Sequence, residues 1–121
     1  MTLIVDIPRD RSAPATARRA VETLSGTVAE DLIPDVKLLV SELVSNSVKY
    51  GNEGTLRFQI ETQGPRRVRA EVIDHGVGFV PVPRDRPVTD VGGWGLHLVQ
   101  TLSNRWGVHE GTTHVWFEID R

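Results

Sequence analysis

The stretch Ser41–Gly51 carries three polar side chains at a spacing that could do chemistry. Glu42, Asn46 and Lys49 follow one another at i, i+4 and i+7. On a helix this spacing puts a carboxylate, an amide and an ammonium group on one stripe, within roughly 60° of arc. An amide oxygen suits magnesium, and a carboxylate one turn earlier could take a proton from an attacking hydroxyl group or water. Taken alone, such a stripe is more typical of a surface helix with an ion pair.

A second motif, Asp74-x-Gly76-x-Gly78, follows a predicted apolar strand. A carboxylate at the end of a strand could accept a hydrogen bond from the exocyclic amine of adenine. Glycines after it would let the backbone approach a flat base or a phosphate, because they have no side chain in the way. The motif alone is also compatible with an ordinary strand followed by a turn.

A third motif, Gly92-Gly93-x-Gly95, leads directly into a predicted helix. The free N–H groups and the dipole at a helix N-terminus favour a phosphate group. Each of the three motifs is weak by itself, but their order and spacing together are much more specific. Together they offer groups that a site for a nucleoside triphosphate with a magnesium ion would require.

The elements that must position these motifs follow from hydrophobic periodicity. The predicted strands are Thr2–Ile7, Thr55–Thr62, Arg67–Asp74, Arg105–His109 and His114–Ile119. The predicted helices are Ala15–Leu24, Pro34–Tyr50 and Trp94–Ser103. In the central helix, the predicted core residues are Val36, Val40, Leu43, Val44 and Ser47. This order predicts an α+β fold: a two-layer α/β sandwich with a mixed, mostly antiparallel sheet and helices on one face.

Length and composition narrow the class of protein. The 121 residues fit one domain spanning 1–121, and the net charge of −2 gives no broad electrostatic case for nucleic acid or an anionic membrane. The absence of cysteine excludes disulfides, thiolate metal sites and a cysteine nucleophile, and it suits the cytoplasm. No apolar run is long enough to span a bilayer, and the four histidines show no metal-ligand spacing.

The three motifs resemble the nucleotide-binding boxes of the GHKL superfamily, which contains gyrase, histidine kinases, mismatch-repair ATPases and anti-sigma-factor serine/threonine kinases. The resemblance covers nearly the whole chain. The small size and the phrase S-E-L-V-S-N-S-V are most similar to the anti-sigma-factor kinases. The resemblance to the GHKL superfamily implies the Bergerat ATP-binding fold, with a mobile lid at Gly76–Gly93.

The resemblance also implies roles for individual residues. Asn46 would bind magnesium, Glu42 would act as the base, and Asp74 would read the adenine amine of ATP. Gly76 and Gly78 would shape the pocket for the base. The phosphates would be held by the later group, Gly92, Gly93, Gly95 and Leu96. A threonine near the last hairpin would support the adenine contact through water, and Thr112 and Thr113 are both candidates. Lys49 could reach a phosphate or simply be a solvated cation at the end of the helix.

The function implied by the resemblance is phosphorylation of a small anti-sigma-factor antagonist protein, with ATP and magnesium as cofactors. Sequestration of a sigma factor and a homodimer are further expectations. Three alternatives stay open at this point. They are a non-catalytic switch in which ATP orders the lid, the detached catalytic domain of a histidine kinase, and an interaction module without a ligand.

Overall fold

The structure is a computed structural model that describes residues 1–50, 55–74, 98–108 and 114–121. Its strands are β1 (Thr2–Pro8), β2 (Thr55–Thr62), β3 (Arg67–Asp74), β4 (Arg105–Val108) and β5 (His114–Asp120). Its two long helices are α1 (Ala13–Glu22) and α2 (Ile33–Tyr50), and residues 98–102 are also helical. No helix within these ranges is both long enough and apolar enough to cross a membrane.

The five strands form one sheet in the order β1-β2-β3-β5-β4. All four pairings between these described strands are antiparallel, which confirms the predicted mostly antiparallel sheet. Among the described residues, parallel pairing is limited to an isolated bridge between Ser25 and Val28, outside the sheet. The parallel strand pair that a mixed sheet would require is therefore not found in this part of the chain.

Alternation along the strands divides the sheet into an apolar and a polar face. Phe58 and Ile60 of β2 lie opposite Val72 and Ala70 of β3, and all four are buried. Ala70 in turn lies opposite the buried Phe117 of β5. The intervening positions carry the polar and charged side chains of the other face, which we call the outer face. Because strand side chains alternate between faces, the buried series faces the helices, as predicted.

Helix α1 begins at Ala13, two residues before the predicted start, and ends at Glu22 rather than Leu24. Ser12 is the N-cap residue, but its hydroxyl donates to the Asp10 carboxylate instead of capping the helix. Leu24 remains fully buried beyond the last turn of α1. The chain then turns at Gly26, whose φ of 89° is readily adopted only by glycine.

Helix α2 begins at Ile33, one residue before the predicted start, and packs against α1 and β3. The predicted core side of this helix is confirmed, because its five residues are all at most 8% exposed. These residues are Val36, Val40, Leu43, Val44 and Ser47. A single hydrophobic face therefore fixes the rotation of α2 about its own axis, and with it the position of the polar stripe.

The antiparallel sheet has two ends with different contents. One end, which we call the ion-pair end, contains the start of α2, the turn between β2 and β3, and the last residues of β5. Here Arg66 bonds Asp31 and Arg121 bonds Asp35. The other end, which we call the site end, contains the end of α2, the end of β1 and the start of β2, where Pro8 pairs with Thr55.

Candidate functional site

The polar stripe of α2 runs toward the site end and changes in exposure along its length. Glu42 is half-buried, Asn46 is 6% exposed, and Lys49 is exposed in the last turn. The structure thus confirms that all three lie on one helix, as the spacing predicts. It also shows that Asn46, the middle residue, is the one most withdrawn from solvent.

Asn46 is chemically unusual for a residue at this depth. No hydrogen bond joins its carboxamide to a residue in the described ranges. The carboxamide atoms are not among the fully buried unpaired side-chain atoms of those ranges, so the small exposed part of the residue leaves them open to water or to a ligand. An amide oxygen is a hard donor of the kind that magnesium takes together with phosphate oxygens and water. The side chain therefore fits the role of a single protein ligand to such an ion.

No cluster of three or more histidine, cysteine, aspartate or glutamate side chains that could hold a metal occurs in the described part of the chain. Magnesium bound to a nucleotide does not require such a cluster, because triphosphate oxygens and water fill most of its coordination positions. A single amide oxygen such as that of Asn46 is compatible with an ion of that type.

Glu42 lies one helical turn before Asn46 on the same side of α2. Its carboxylate is half-buried, and it forms no ion pair with a residue that the structure describes. Other half-buried carboxylates are ion-paired: Glu71 and Glu118 bond Arg69, and Asp35 bonds Arg121. Glu42 differs from them in having no ion pair with a described residue.

Asp74 is the last residue of β3, and its backbone lies opposite Leu56 of β2 at the site end. The C-terminal half of α2 lies at the same end, because Arg9, which directly follows β1, bonds Ser47 of that helix. The side chain of Asp74 lies outside the described residues.

The remaining predicted site residues lie outside the described residues. They are Gly76, Gly78, Gly92, Gly93, Gly95, Leu96 and Thr113, and the alternative Thr112. The chain leaves the sheet at Asp74, two residues before the first glycine motif, and re-enters it at His114, directly after the threonines. Both points lie at the site end, because Asp74 is opposite Leu56 and His114 is opposite Ile73.

Arg9 belongs to this region and was not singled out from the sequence. It directly follows β1, and its Nη1 donates a hydrogen bond to the carbonyl oxygen of Ser47 in α2. Its Nε and Nη2 atoms are buried. In the sequence, one signal was available: an arginine shortly after a predicted strand, with Arg11 two residues further on. The partner, 38 residues away, could not be read from that signal.

The outer face of the sheet holds a different group of charges. The Arg69 guanidinium lies 4.3 Å above the ring of Trp116 and bonds both Glu71 and Glu118. Burial raises the pKa of Glu118, but hydrogen bonds and charge from Arg69 and Arg105 outweigh it and leave the pKa below its ordinary value. The two cavities near Arg69 measure only about 90 and 40 Å³, too small for a nucleotide. This face is stabilised within itself and is not the candidate site.

Comparison with known proteins identifies the family of this chain. The family described as histidine kinase-like ATPase domain matches residues 7–119, almost the whole chain. A search of curated proteins found no significant match. The family match confirms the resemblance to the GHKL superfamily, whereas the closer resemblance to anti-sigma-factor kinases stays a prediction. On the strength of the matched range and the α+β architecture, this chain belongs to the histidine kinase-like ATPase domain family.

Proposed function

We propose that this protein binds ATP with magnesium at the site end and transfers the γ-phosphoryl group to a serine or threonine of a small anti-sigma-factor antagonist protein. Sequestration of a sigma factor by the same chain is a second part of the proposal. Family membership supports an ATP-binding regulatory domain. The kinase activity, the partners and a homodimeric state go beyond this membership, and we propose them from the resemblance to anti-sigma-factor kinases.

The observation that carries the proposal is the state of Asn46. Its side chain is 6% exposed and has no hydrogen-bond partner in the described residues. Glu42 lies one turn away with a carboxylate that forms no described ion pair. An amide and a carboxylate left available on one stripe are what metal binding and proton transfer require.

In the proposed reaction, Asn46 would hold magnesium and Asp74 would accept a hydrogen bond from the adenine amine. The ion, when bound, neutralises charge on the phosphate oxygens. Glu42 accepts the proton of the substrate hydroxyl as that oxygen forms a bond to the γ-phosphorus. The bond between the γ-phosphorus and the β–γ bridging oxygen breaks, and ADP leaves. The contribution of this chain is therefore mostly positioning and charge stabilisation.

Calorimetric titration with ATP and magnesium tests the binding half of the proposal. The wild-type protein is expected to bind ATP more tightly than GTP, because Asp74 accepts from an amine that guanine lacks at the equivalent position. Asp74→Asn should remove this preference while the protein stays folded. Equal affinity of the wild type for ATP and GTP would contradict the role of Asp74, and no affinity for either would overturn the whole proposal.

Transfer of radiolabelled phosphate from ATP to an antagonist protein tests the catalytic half. Glu42→Gln should bind ATP normally but lose transfer by about 100-fold or more, the range expected for removal of a general base. Glu22→Gln is the matched control, because Glu22 is an exposed glutamate of α1 paired with Lys37. ATP binding without transfer in the wild type would instead select the non-catalytic switch.

A further inference from the structure

Arg9 connects the sheet to the helix that carries the polar stripe. It follows Pro8, which pairs with Thr55 at the end of β1. Its Nη1 donates to the carbonyl oxygen of Ser47, the residue after Asn46. The contact therefore joins the site end of the sheet to the helical turn that presents the buried amide.

The position of this contact in α2 gives it a physical role. Helix α2 ends at Tyr50, so the Ser47 carbonyl lies in its last turn, at the negative end of the helix dipole. A guanidinium group that donates to this carbonyl opposes that negative end. The Nε and Nη2 atoms of Arg9 are buried, which strengthens this electrostatic interaction relative to one in water.

The loop that carries Arg9 is itself held in place on both sides. Before it, β1 is paired with β2 up to Pro8. After it, the Asp10 carboxylate accepts hydrogen bonds from the backbone N–H and the hydroxyl of Ser12, at 2.8 and 2.5 Å. These bonds hold the pKa of Asp10 below its ordinary value. Arg9 is thus presented to α2 from a preorganised turn rather than from a free loop.

We infer that Arg9 is a positioning residue for nucleotide binding: it fixes the last turns of α2 so that Asn46 is held at the site end. This inference rests on the proposed function and adds a residue outside the three motifs. Arg9 acts on the nucleotide through α2, so its removal should weaken the part of ATP affinity that depends on magnesium. The part that does not depend on magnesium should change little.

The test is the affinity of the full chain for ATP measured by calorimetry, once with magnesium and once with EDTA. The dissociation constant in EDTA divided by the dissociation constant in magnesium measures how much the metal tightens ATP binding. Arg9→Gln should reduce this ratio roughly tenfold, and Arg9→Lys, which keeps the charge and one donor, should reduce it less. Arg11→Gln is the matched control, because Arg11 is an exposed arginine of the same loop with no hydrogen bond or ion pair in the described residues. It should leave the ratio unchanged.

A double-mutant cycle separates positioning from a general loss of stability. In an Asn46→Ala background the metal-dependent part is already absent, so Arg9→Gln should cause no further change in the ratio. A further loss of similar size would show that Arg9 does not act through Asn46 and would overturn the inference. An Arg9→Gln variant that behaves like Arg11→Gln would also overturn it while leaving the proposed function intact.

Two further results complete the test. If Arg9→Gln does not fold, Arg9→Lys takes its place. The amides of residues 47–50 should then exchange hydrogen roughly tenfold faster in Arg9→Lys than in Arg11→Gln, without any nucleotide. Equal exchange rates in these two variants would overturn the inference. Failure of the wild type to bind ATP at all would overturn both the proposed function and the role of Arg9.

Discussion

The two ends of the sheet use their polar residues in opposite ways. At the ion-pair end, Arg66 bonds both oxygens of Asp31 at 3.0 and 2.9 Å, and Arg121 bonds Asp35 at 2.5 Å. At the site end, Asn46 is buried without a hydrogen-bond partner in the described residues. Paired groups stabilise a fold, whereas groups that are held in place but unpaired are available to a ligand. This difference is the reason why we propose that the ligand binds at the site end.

Truncation of Asn46 should produce the largest effect and give the sharpest contrast between the ends. Asn46→Ala should weaken ATP binding in magnesium by about 100-fold, or about 2.7 kcal/mol, because a metal ligand is lost. The melting temperature without ATP should stay the same or rise, because no described hydrogen bond is broken and a buried polar group is removed.

Calorimetry and thermal melts on the same samples check this prediction. Ser45→Ala is the control, since Ser45 is a half-buried neighbour on the same helix. A strong fall in melting temperature with unchanged ATP affinity would mean that Asn46 is structural. The contrast between the two ends would then be lost.

Substitution of Glu118 should affect stability and leave ATP affinity unchanged. Its carboxylate bonds Arg69 at 2.6 Å and Arg105 at 2.7 Å, with only 16% of the side chain exposed. Glu118→Gln should therefore lower the free energy of unfolding by about 1.5 kcal/mol at pH 7, measured by urea denaturation. Glu61→Gln, at an exposed glutamate of the outer face, should cost much less.

The pH dependence of the Glu118 effect has a definite sign. The pKa of this carboxyl is lower in the folded than in the unfolded state, so its ionised form stabilises the fold. That contribution is fully present above the unfolded pKa of about 4.3. It is lost as the pH falls through the lower folded value. The difference in stability between the wild type and Glu118→Gln should therefore shrink below about pH 4.3; a constant difference down to pH 2 would contradict the ionic role.

Removal of Arg66 should have a smaller effect on the ion-pair end. Arg66→Ala breaks the bidentate pair with Asp31 and the hydrogen bond to the Arg121 carbonyl oxygen. Because the pair is exposed, the loss in unfolding free energy should be about 1 kcal/mol and should decrease at high salt. Arg67→Ala is the control, since its contact with Asp120 is longer, at 3.8 Å. Any loss of ATP affinity in Arg66→Ala would show that the two ends are coupled.

Lys49 should show the smallest effect, and its substitution decides between two interpretations of an exposed cation. If Lys49 reaches a phosphate, Lys49→Gln should weaken ATP binding about threefold, with a stronger effect at low salt. If it only opposes the helix dipole, ATP affinity should stay constant while the melting temperature falls slightly. Titrations at two salt concentrations distinguish these outcomes, and Lys37→Gln is the control because Lys37 is paired with Glu22 at the other end of α2.

Sequence alone determined the local features of this protein. The bounds of β2 and β3 agree with those predicted, and the buried side of α2 is the predicted one. These features could be predicted because strand alternation and helical periodicity are visible within a few consecutive residues. The family assignment also followed from sequence, since three short motifs in a fixed order were sufficient to indicate it.

Tertiary structure decided which distant residues meet. The sequence did not indicate that β3 lies between β2 and β5, that Arg121 would pair with Asp35, or that Arg9 would reach Ser47. It also placed Asn46 on a polar stripe without showing that the side chain would be almost fully buried. Pairing and burial depend on how whole elements pack, and no local pattern encodes that arrangement, because each contact joins segments that are tens of residues apart.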